Sequence, residues 1–365
     1  MPILRLALPN PRDTMPAISD RRPLAASRTT TARRLAWLAG GLVALVVAML
    51  LSVALGSRAM SLDQVWQALF HGPDQLTGAD ASAAKVVREL RVPRTMIALM
   101  VGAALGIAGA VMQGLTRNPI AEPGILGVSQ GASVAVVLAI TFAGANTLDD
   151  YVWYAFVGAG LAAVLVYGIA NQGRGGATPV RLALAGAAIN ALLASVIAGV
   201  LTTHGATLDQ FRFWQVGSLT DRDADIVLRI APFLLTGLVF VAAAARGLDA
   251  LALGDDVARG LGQNVGAVRI VGGIGAVVLT GVGVAAAGPI AFVGLAVPHI
   301  GRALVGGGHR WLLPMSALLG AVVLLVSDVV GRLIFPPSEV PAGVTTALIG
   351  VPFLIYLVRR SGVRG

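Results

Sequence analysis

Residues 270–301 read IVGGIGAVVLTGVGVAAAGPIAFVGLAVPHIG, a run of apolar and small residues without one Asp, Glu, Lys or Arg. As one continuous helix this run would be about 48 Å long at ~1.5 Å per residue, well beyond the ~30 Å apolar core of a bilayer. Gly288 and Pro289 interrupt it, and a proline inside a helix removes a hydrogen bond and clashes with the preceding turn. The run therefore predicts two membrane passes joined by a short break.

The rest of the 365-residue chain has the same character. Hydrophobic residues make up 56% of it and charged residues only 12%, about half of the ~25% charged that is typical of soluble domains. Most of the other charge-free apolar runs match the length of one membrane helix, and they lie at 35–55, 95–116, 123–148, 151–173, 182–208, 230–245, 311–327 and 340–358. With the two passes above, they predict an all-α integral membrane protein of ten transmembrane helices.

This division into spans also predicts the domain organisation. Residues 1–34, rich in Pro, Arg, Ser and Thr, are expected to form a disordered basic tail. Residues 35–360 are expected to form the ten-helix domain, and residues 361–365 a short second tail. Because ten is even, both termini lie on one side, and that side holds most of the 27 basic residues. This excess predicts cytoplasmic N and C termini.

If a bundle of this kind moves a solute across the membrane, its sequence offers no site of its own that could supply the energy. Its single lysine, Lys85, lies between two apolar residues and not in a P-loop. Asp328 and Glu339 fall at span ends in this division, so no span is expected to hold the carboxylate that ion coupling needs. The energy is therefore expected to come from a separate ATPase, which would bind ATP and Mg²⁺.

Metal and thiol chemistry are also disfavoured. The chain has no Cys, which excludes disulfides, iron–sulfur clusters and cysteine catalysis. Its four His are widely spaced and do not form a metal-ligating pattern. The basic residues gather at span ends, which favours membrane lipid over nucleic acid as a partner. We expect no catalytic residue, and no metal or cofactor bound by this chain.

Residues 251–265, LALGDDVARGLGQNV, predict a docking element for that ATPase. Apolar residues at a spacing of four, with charged residues between them, indicate a short helix that ends at Gly260 or Gly262. An ordinary amphipathic surface loop would have the same spacing. The residues expected to contact the ATPase are Leu253, Gly254, Asp255, Asp256, Val257, Arg259, Leu261 and Gly262.

Several motifs, in order along the chain, resemble those of one family. They are RVPR at 91–94, MQG at 112–114, RNPIAEP at 117–123, LGVS at 126–129, AGPIAFVGLAVPHIGR at 287–302, EVPAG at 339–343 and GVPF at 350–353. Together they resemble the FecCD-type permeases of ABC importers, which take up ferric siderophores, haem or vitamin B12. The similarity extends from about residue 33 to residue 360.

The resemblance implies a type II ABC importer permease fold and a set of partners. Two permease subunits, identical or sister chains, enclose a path; an ATPase dimer binds below, and a periplasmic or lipid-anchored substrate-binding protein docks above. In the family's vitamin B12 importer, arginines that match Arg91, Arg94 and Arg332 meet glutamates of the binding protein. Guanidinium–carboxylate pairs at an exposed rim would steer such docking. The alternative is that these arginines reach from span ends to lipid head groups.

An aromatic cluster follows the apolar run that ends at residue 208. In the family, this region lines the mouth of the path near the dimer axis, so the resemblance implies that Phe211, Phe213 and Trp214 contact the cargo. Interfacial aromatics that anchor the bundle in the membrane are an equally good explanation.

The expected function is inward movement of an iron chelate, with a ferric siderophore as the expected cargo, by a multi-pass permease subunit of the bacterial inner membrane. Haem and vitamin B12 are alternatives within the same family. Two other classes were weighed. An intramembrane hydrolase would use Ser129 of GVSQG at 127–131, but this pattern lacks the strand–turn–helix context and the nearby His of a nucleophile elbow. An ion-coupled transporter would instead lose activity with an uncoupler.

Overall fold

The computed structural model describes residues 31–145, 147–172, 177–220 and 222–362. Within these ranges the chain forms fourteen α-helices and no strand. The helices are α1 (Thr31–Ala54), α2 (Leu62–Phe70), α3 (Gly78–Lys85), α4 (Val92–Thr116), α5 (Val128–Phe142), α6 (Leu148–Ala170), α7 (Pro179–Thr203), α8 (Gly205–Gln215), α9 (Ala224–Leu251), α10 (Asp255–Gly260), α11 (Val265–Ala287), α12 (Val293–Val305), α13 (His309–Ile334) and α14 (Ala342–Gly362). A π-helical turn (Val86–Arg91) leads directly into α4.

Seven of the described helical segments are long and apolar enough to cross a membrane: α1, the segment Gly78–Thr116 that ends with α4, α6, α7, α9, α11 and α13. Three shorter apolar helices, α5, α12 and most of α14, complete the set. These ten elements coincide with the ten predicted passes, and the all-α membrane class is confirmed. Because α5 and α12 have only 15 and 13 residues, ten full crossings stay a prediction.

The break within residues 270–301 lies where the sequence predicts it. α11 ends at Ala287, Gly288 has a φ of 75°, and α12 begins at Val293. Glycine adopts positive φ without steric cost, so Gly288 turns the chain at this point. The prediction of two helices in this run is confirmed.

The predicted limits of the two tails differ slightly from the helix ends. α1 begins at Thr31, so the last four residues of the predicted tail 1–34 belong to the first helix, while residues 1–30 lie outside the described residues. α14 continues to Gly362, and residues 363–365 also lie outside the described residues. The disorder predicted for the first tail stays a prediction.

α4 forms the centre of the bundle. Most of its residues are buried, and it packs against α9, α11, α12 and α13. Glycines permit a close approach: a Cβ at Gly102 would lie 2.5 Å from the carbonyl oxygen of Gly320, and a Cβ at Gly109 would overlap the carbonyl oxygen of Gly294. In lipid, helices associate through such close van der Waals contact and not through a hydrophobic driving force.

A side chain at Gly109 should disrupt this packing. We expect Gly109→Ala to lower the free energy of unfolding by about 1–3 kcal/mol, because the added methyl group overlaps backbone atoms of Gly294. Gly199→Ala is the matched control, since Gly199 also lies in a long apolar helix but has nothing within 4 Å of its Cβ position. Thermal unfolding of the purified protein in detergent measures both variants. Equal unfolding midpoints would contradict the packing argument.

Candidate functional sites at the two ends of the bundle

One end of the bundle, here called the Arg94 end, holds a network of ion pairs. Arg94 of α4 donates to both carboxylate oxygens of Asp328 of α13, at 2.7–3.1 Å, and to Oε2 of Glu339 at 2.6 Å. Arg332, one turn after Asp328 on α13, forms a second ion pair with this carboxylate. Asp328 is fully buried, so two guanidinium groups neutralise one carboxylate out of reach of water.

The arginines of this end also satisfy carbonyl groups at the end of α1 and in the segment that follows it. Arg332 donates to the carbonyl oxygen of Ser52 at 2.8 Å and to its hydroxyl at 2.9 Å. Arg91 donates at 2.6–2.9 Å to three further carbonyl oxygens, those of Val53, Ala54 and Arg58. The last carbonyls of a helix have no partner within the helix. The guanidinium groups therefore tie α1 to α4 and α13.

Arg91, Arg94 and Arg332 line one open crevice of about 230 Å³ at this end. The sequence predicts them as docking residues on an exposed rim. The structure brings them together but buries them, with exposures of 5%, 9% and 2%, and binds their guanidinium groups within the chain. The crevice is basic, since five arginines and one glutamate line it. The docking role itself stays a prediction.

Asp328 does not lie in the external loop that follows its span, where the division into charge-free runs places it, so that prediction is wrong. α13 continues past Asp328 to Ile334. Cutting a sequence at every charged residue treats each carboxylate as the end of a span. Because two arginines neutralise Asp328, this carboxylate can lie inside an apolar helix, and α13 continues past it without a break. Glu339 does lie in the loop between α13 and α14, as predicted.

Glu339 is the carboxylate of the network that water reaches. Its side chain is 21% exposed, and it accepts hydrogen bonds from Arg94 and from the hydroxyl of Ser57. Burial alone would raise the pKa of Glu339, but the charge of Arg94 and these hydrogen bonds outweigh burial and hold the pKa below its usual value. The ion pair therefore persists at neutral and mildly acidic pH.

A second pocket at the Arg94 end, of about 660 Å³, includes Phe213, Trp214 and Glu339 in its lining. The three predicted path residues all lie on α8 but differ in exposure. Phe213 is 70% exposed, whereas Phe211 is fully buried and Trp214 is 3% exposed. Most of the surface of the Phe213 side chain is therefore exposed in this conformation. Contact of the three residues with cargo stays a prediction.

The opposite end, here called the Asp255 end, carries the predicted docking element. α10 (Asp255–Gly260) is the short helix predicted within residues 251–265, and it ends at the first of the two expected glycines. Gly254 and Gly262 have φ values of 106° and 79° and turn the chain on either side. The helix prediction is confirmed.

The apolar residues of this element point away from the bundle. Leu253, Val257 and Leu261 are 63%, 50% and 61% exposed. Asp256 and Arg259 form an exposed ion pair at 2.8 Å beside them. An ordinary amphipathic loop would bury its apolar side against its own bundle. An exposed apolar surface with a charged rim is instead typical of a protein–protein contact.

Asp255 fastens α10 to the bundle. Both of its carboxylate oxygens accept from Arg269 of α11, at 2.8 and 3.1 Å, and Oδ1 lies 3.4 Å from a guanidinium nitrogen of Arg117, which follows α4. Nearby, Asp249 accepts from the backbone N–H of His309 at 2.8 Å, which ties α9 to α13. These partners of Asp255 do not follow from the sequence pattern used above, although Arg117 of RNPIAEP, next to a span end, was a usable signal.

Among the residues that the structure describes, there is no site for metal ligation or for hydrolysis by a Ser–His pair. No group there of three or more His, Asp or Glu could hold a metal ion. Ser129 lies in the first turn of α5 and borders a pocket in whose described lining no His occurs. The hydrolase alternative therefore lacks a histidine base in the described lining of that pocket.

The structure is an all-α bundle of apolar helices with a basic crevice at one end and an exposed apolar element fastened to the other, an arrangement that fits a membrane permease. The chain belongs to the FecCD transport family, which it matches over residues 44–360. Membership of this family makes the chain a subunit of a transporter and not an enzyme.

Relatives of known name cover most of the chain. It is 40% identical to the probable siderophore transport system permease protein YfiZ of Bacillus subtilis (strain 168), over 87% of this chain and 93% of the relative. It is 42% identical to the iron(3+)-hydroxamate import system permease protein FhuB of the same organism, over 89% and 83%. It is 41% identical to the ferric enterobactin transport system permease protein FepD of Escherichia coli (strain K12), over 88% and 94%.

A solved structure confirms the permease fold that the motifs predict. It is an inward-facing conformation of a metal-chelate type ABC transporter, similar to this chain with a TM-score of 0.77 and 29% identity. The similarity covers 88% of this chain and 98% of that one.

Loss of the buried carboxylate should be severely destabilising. We expect Asp328→Asn to lower the free energy of unfolding by about 3–5 kcal/mol, because two buried guanidinium groups would lose the charge that neutralises them. Asp74→Asn, at an exposed position, is the control. Thermal unfolding in detergent measures the difference in stability between each variant and the unmodified chain. Added salt should not destabilise the unmodified chain to the extent that Asp328→Asn does, because a buried ion pair is poorly screened. A change as small as that of the control would refute the neutralisation argument.

The contribution of Glu339 to stability should depend on pH. A carboxylate whose pKa is lower in the folded state stabilises above its unfolded pKa, near ~4.3, and loses this contribution as the pH falls through the folded value. Glu339→Gln should therefore lower the unfolding midpoint equally at pH 7 and pH 6, and by less below about pH 4. Glu89→Gln, in a half-exposed pair with Lys85, is the control that should change little. An effect of Glu339→Gln that stays constant down to pH 3 would count against the lowered pKa.

Proposed function

We propose that this chain is the membrane-spanning permease subunit of an ABC importer of the bacterial inner membrane, and that it moves a ferric siderophore into the cytoplasm. The observation that carries the proposal is 40–42% identity, over nearly the whole chain, to permeases named for siderophore, hydroxamate and enterobactin transport. The exposed apolar element at the Asp255 end supports the proposal, because a bundle without a nucleotide site needs a partner that supplies energy.

The test is uptake of iron-labelled chelates into vesicles that contain this chain, its ATPase and an external binding protein. We expect uptake of a ferric siderophore that requires ATP. Haem is a second cargo to assay, since the hemin transport system permease protein HmuU of Yersinia pestis is 35% identical over 88% of this chain; vitamin B12 is the third. Uptake without ATP that an uncoupler abolishes would identify an ion-coupled transporter. No uptake of any of the three cargoes would refute the proposal.

We also propose that residues 251–265 form the surface on which the ATPase docks. The exposure of Leu253, Val257 and Leu261 supports this role, as does the link of Asp255 to α4 and α11. The other residues of the docking surface are Gly254, Asp256, Arg259 and Gly262. ATP and Mg²⁺ would bind to the partner, in an ATPase dimer.

A charge in the apolar face of α10 should uncouple the ATPase. We expect Val257→Asp to weaken ATPase binding by about tenfold or more, because a desolvated charge at the centre of an apolar contact is costly. Leu62→Asp is the matched control, since it places the same charge at an exposed apolar position of α2, outside the docking surface. The affinity of the detergent-purified chain for the ATPase and ATP-driven uptake are the two measurements. Equal affinities for both variants would rule out this face as the contact.

We propose that the basic crevice at the Arg94 end receives carboxylates of the substrate-binding protein through Arg91, Arg94 and Arg332. Arg94 and Arg332 are partly neutralised by carboxylates of this chain. Arg91 instead donates to carbonyl oxygens, which carry no charge, so its positive charge stays available to attract a partner. Charge complementarity of this kind raises the rate of association and fixes orientation.

Arg91 is therefore the residue that best tests docking. We expect Arg91→Gln to weaken binding of the substrate-binding protein by about tenfold at low salt and to reduce the salt dependence of the affinity, because one unit of positive charge leaves the crevice. Arg88→Gln is the matched control: Arg88 also donates to two backbone carbonyls but lies outside the crevice. Identical affinities for the two variants, with both proteins folded, would exclude the proposed contact.

We infer from the family that a second permease subunit, a copy of this chain or a sister chain, completes the path. α7 exposes much of its apolar surface in this chain, since Val180, Leu184 and Leu192 are more than half exposed. This exposure supports a contact between α7 and another apolar surface. Membrane lipid or the second subunit would cover these side chains.

A further inference from the structure

A pocket of about 430 Å³ lies midway between the two ends of the bundle. Its lining includes Leu105 of α4, Asn190 of α7 and Thr280 of α11. Leu105 and Asn190 lie about halfway along helices of 25 residues, which places the pocket near the middle of the apolar core. It is named here the central cavity.

Two irregular segments meet at the central cavity. Residues 117–127 join α4 to α5, residues 288–292 join α11 to α12, and both segments contribute lining residues. At membrane depth, non-helical backbone is tolerated only where it is buried in protein or borders a cavity. In several classes of transporter, non-helical backbone within the membrane lines the place where the transported molecule binds.

Two side chains of the lining have acceptor groups without a hydrogen-bond partner among the described residues. The carboxylate of Glu122 forms no hydrogen bond or ion pair with the residues that the structure describes. Asn190 donates from Nδ2 to the carbonyl oxygen of Gly124 at 3.1 Å, but its Oδ1 is buried without a hydrogen-bond partner. Ser129 and Gln130 add further polar groups, and no Arg, Lys or His occurs in the described lining. An ionisable residue at membrane depth is costly and is therefore typically functional.

We propose that the central cavity contacts the cargo during its passage, and that Glu122 makes this site favour neutral or cationic chelates, such as ferric hydroxamates, over anionic ones. The inference rests on the proposed function and narrows its substrate class. A carboxylate and hydroxyl groups attract hydrogen-bond donors and positive charge. A polyanionic chelate is repelled by Glu122, and no basic lining residue offsets that repulsion.

The absence of Cys makes a direct test available, because one cysteine can be introduced and labelled. Ser129→Cys places a thiol in the central cavity with little change of shape. Two methanethiosulfonate reagents of similar size, one bearing a trimethylammonium group and one a sulfonate, report the local charge through their labelling rates. We expect the cationic reagent to label faster, and the added substitution Glu122→Gln to reduce the ratio of the two rates by about tenfold. Glu122→Asp, which keeps the charge, should retain the ratio.

The control for the charge measurement is Phe213→Cys, at an exposed position on α8, whose rate ratio Glu122→Gln should leave unchanged. Cargo contact is measured in the complete complex in vesicles during ATP-driven uptake. Saturating binding protein loaded with a ferric hydroxamate should slow labelling of Ser129→Cys several-fold relative to empty binding protein.

Two results would overturn the inference: a rate ratio that Glu122→Gln does not change, or labelling of Ser129→Cys that is equal with and without cargo. If uptake of the chelate proceeds in either case, the proposed function stands and only the role of the central cavity fails. The absence of uptake by the unmodified chain would count against the proposed function instead, whatever the labelling ratio.

Discussion

Asp328 carries a negative charge inside an apolar bundle, and its neutralisation by Arg94 and Arg332 is the interaction on which the architecture of one end depends. A charge buried without a partner would cost more than most single contacts in a protein contribute. Arg94 comes from α4, while Arg332 also binds the end of α1. Three helices are thereby held in one arrangement, and the basic crevice takes its shape from them.

The interior of the bundle obeys a different constraint. Helices in lipid gain little from burying apolar surface against one another, so close backbone contact has to hold them together. α4 meets this need with glycines that face the backbones of α12 and α13. The segments that connect helices at residues 117–127 and 288–292 contain backbone outside the α-helices that needs other partners, and the central cavity lies at this place.

Local signals made much of this structure predictable. The two helices of residues 270–301 and the short helix α10 follow from apolar length, glycine position and spacing, which neighbouring residues determine. The burial of Asp328 did not follow, because its partner Arg94 lies 234 residues away and no local pattern reports such a pairing. The depth of Glu122 was missed for a related reason. Division at charged residues places Glu122 between the predicted runs 95–116 and 123–148, and the packing that brings this connection to the central cavity involves residues far away in the chain.

The ion pairs of Asp255 have a mechanical consequence. This carboxylate joins α10 to α11 and to the residue that follows α4, so α10 cannot shift alone. The other end of α4 contains Arg94. A displacement that nucleotide binding imposes on the ATPase would thus reach the crevice on the far face, and by thermodynamic reciprocity an event in the crevice would alter the affinity of the ATPase for nucleotide. α4 would in this way couple binding of the ATPase at one end of the bundle to binding in the crevice at the other end.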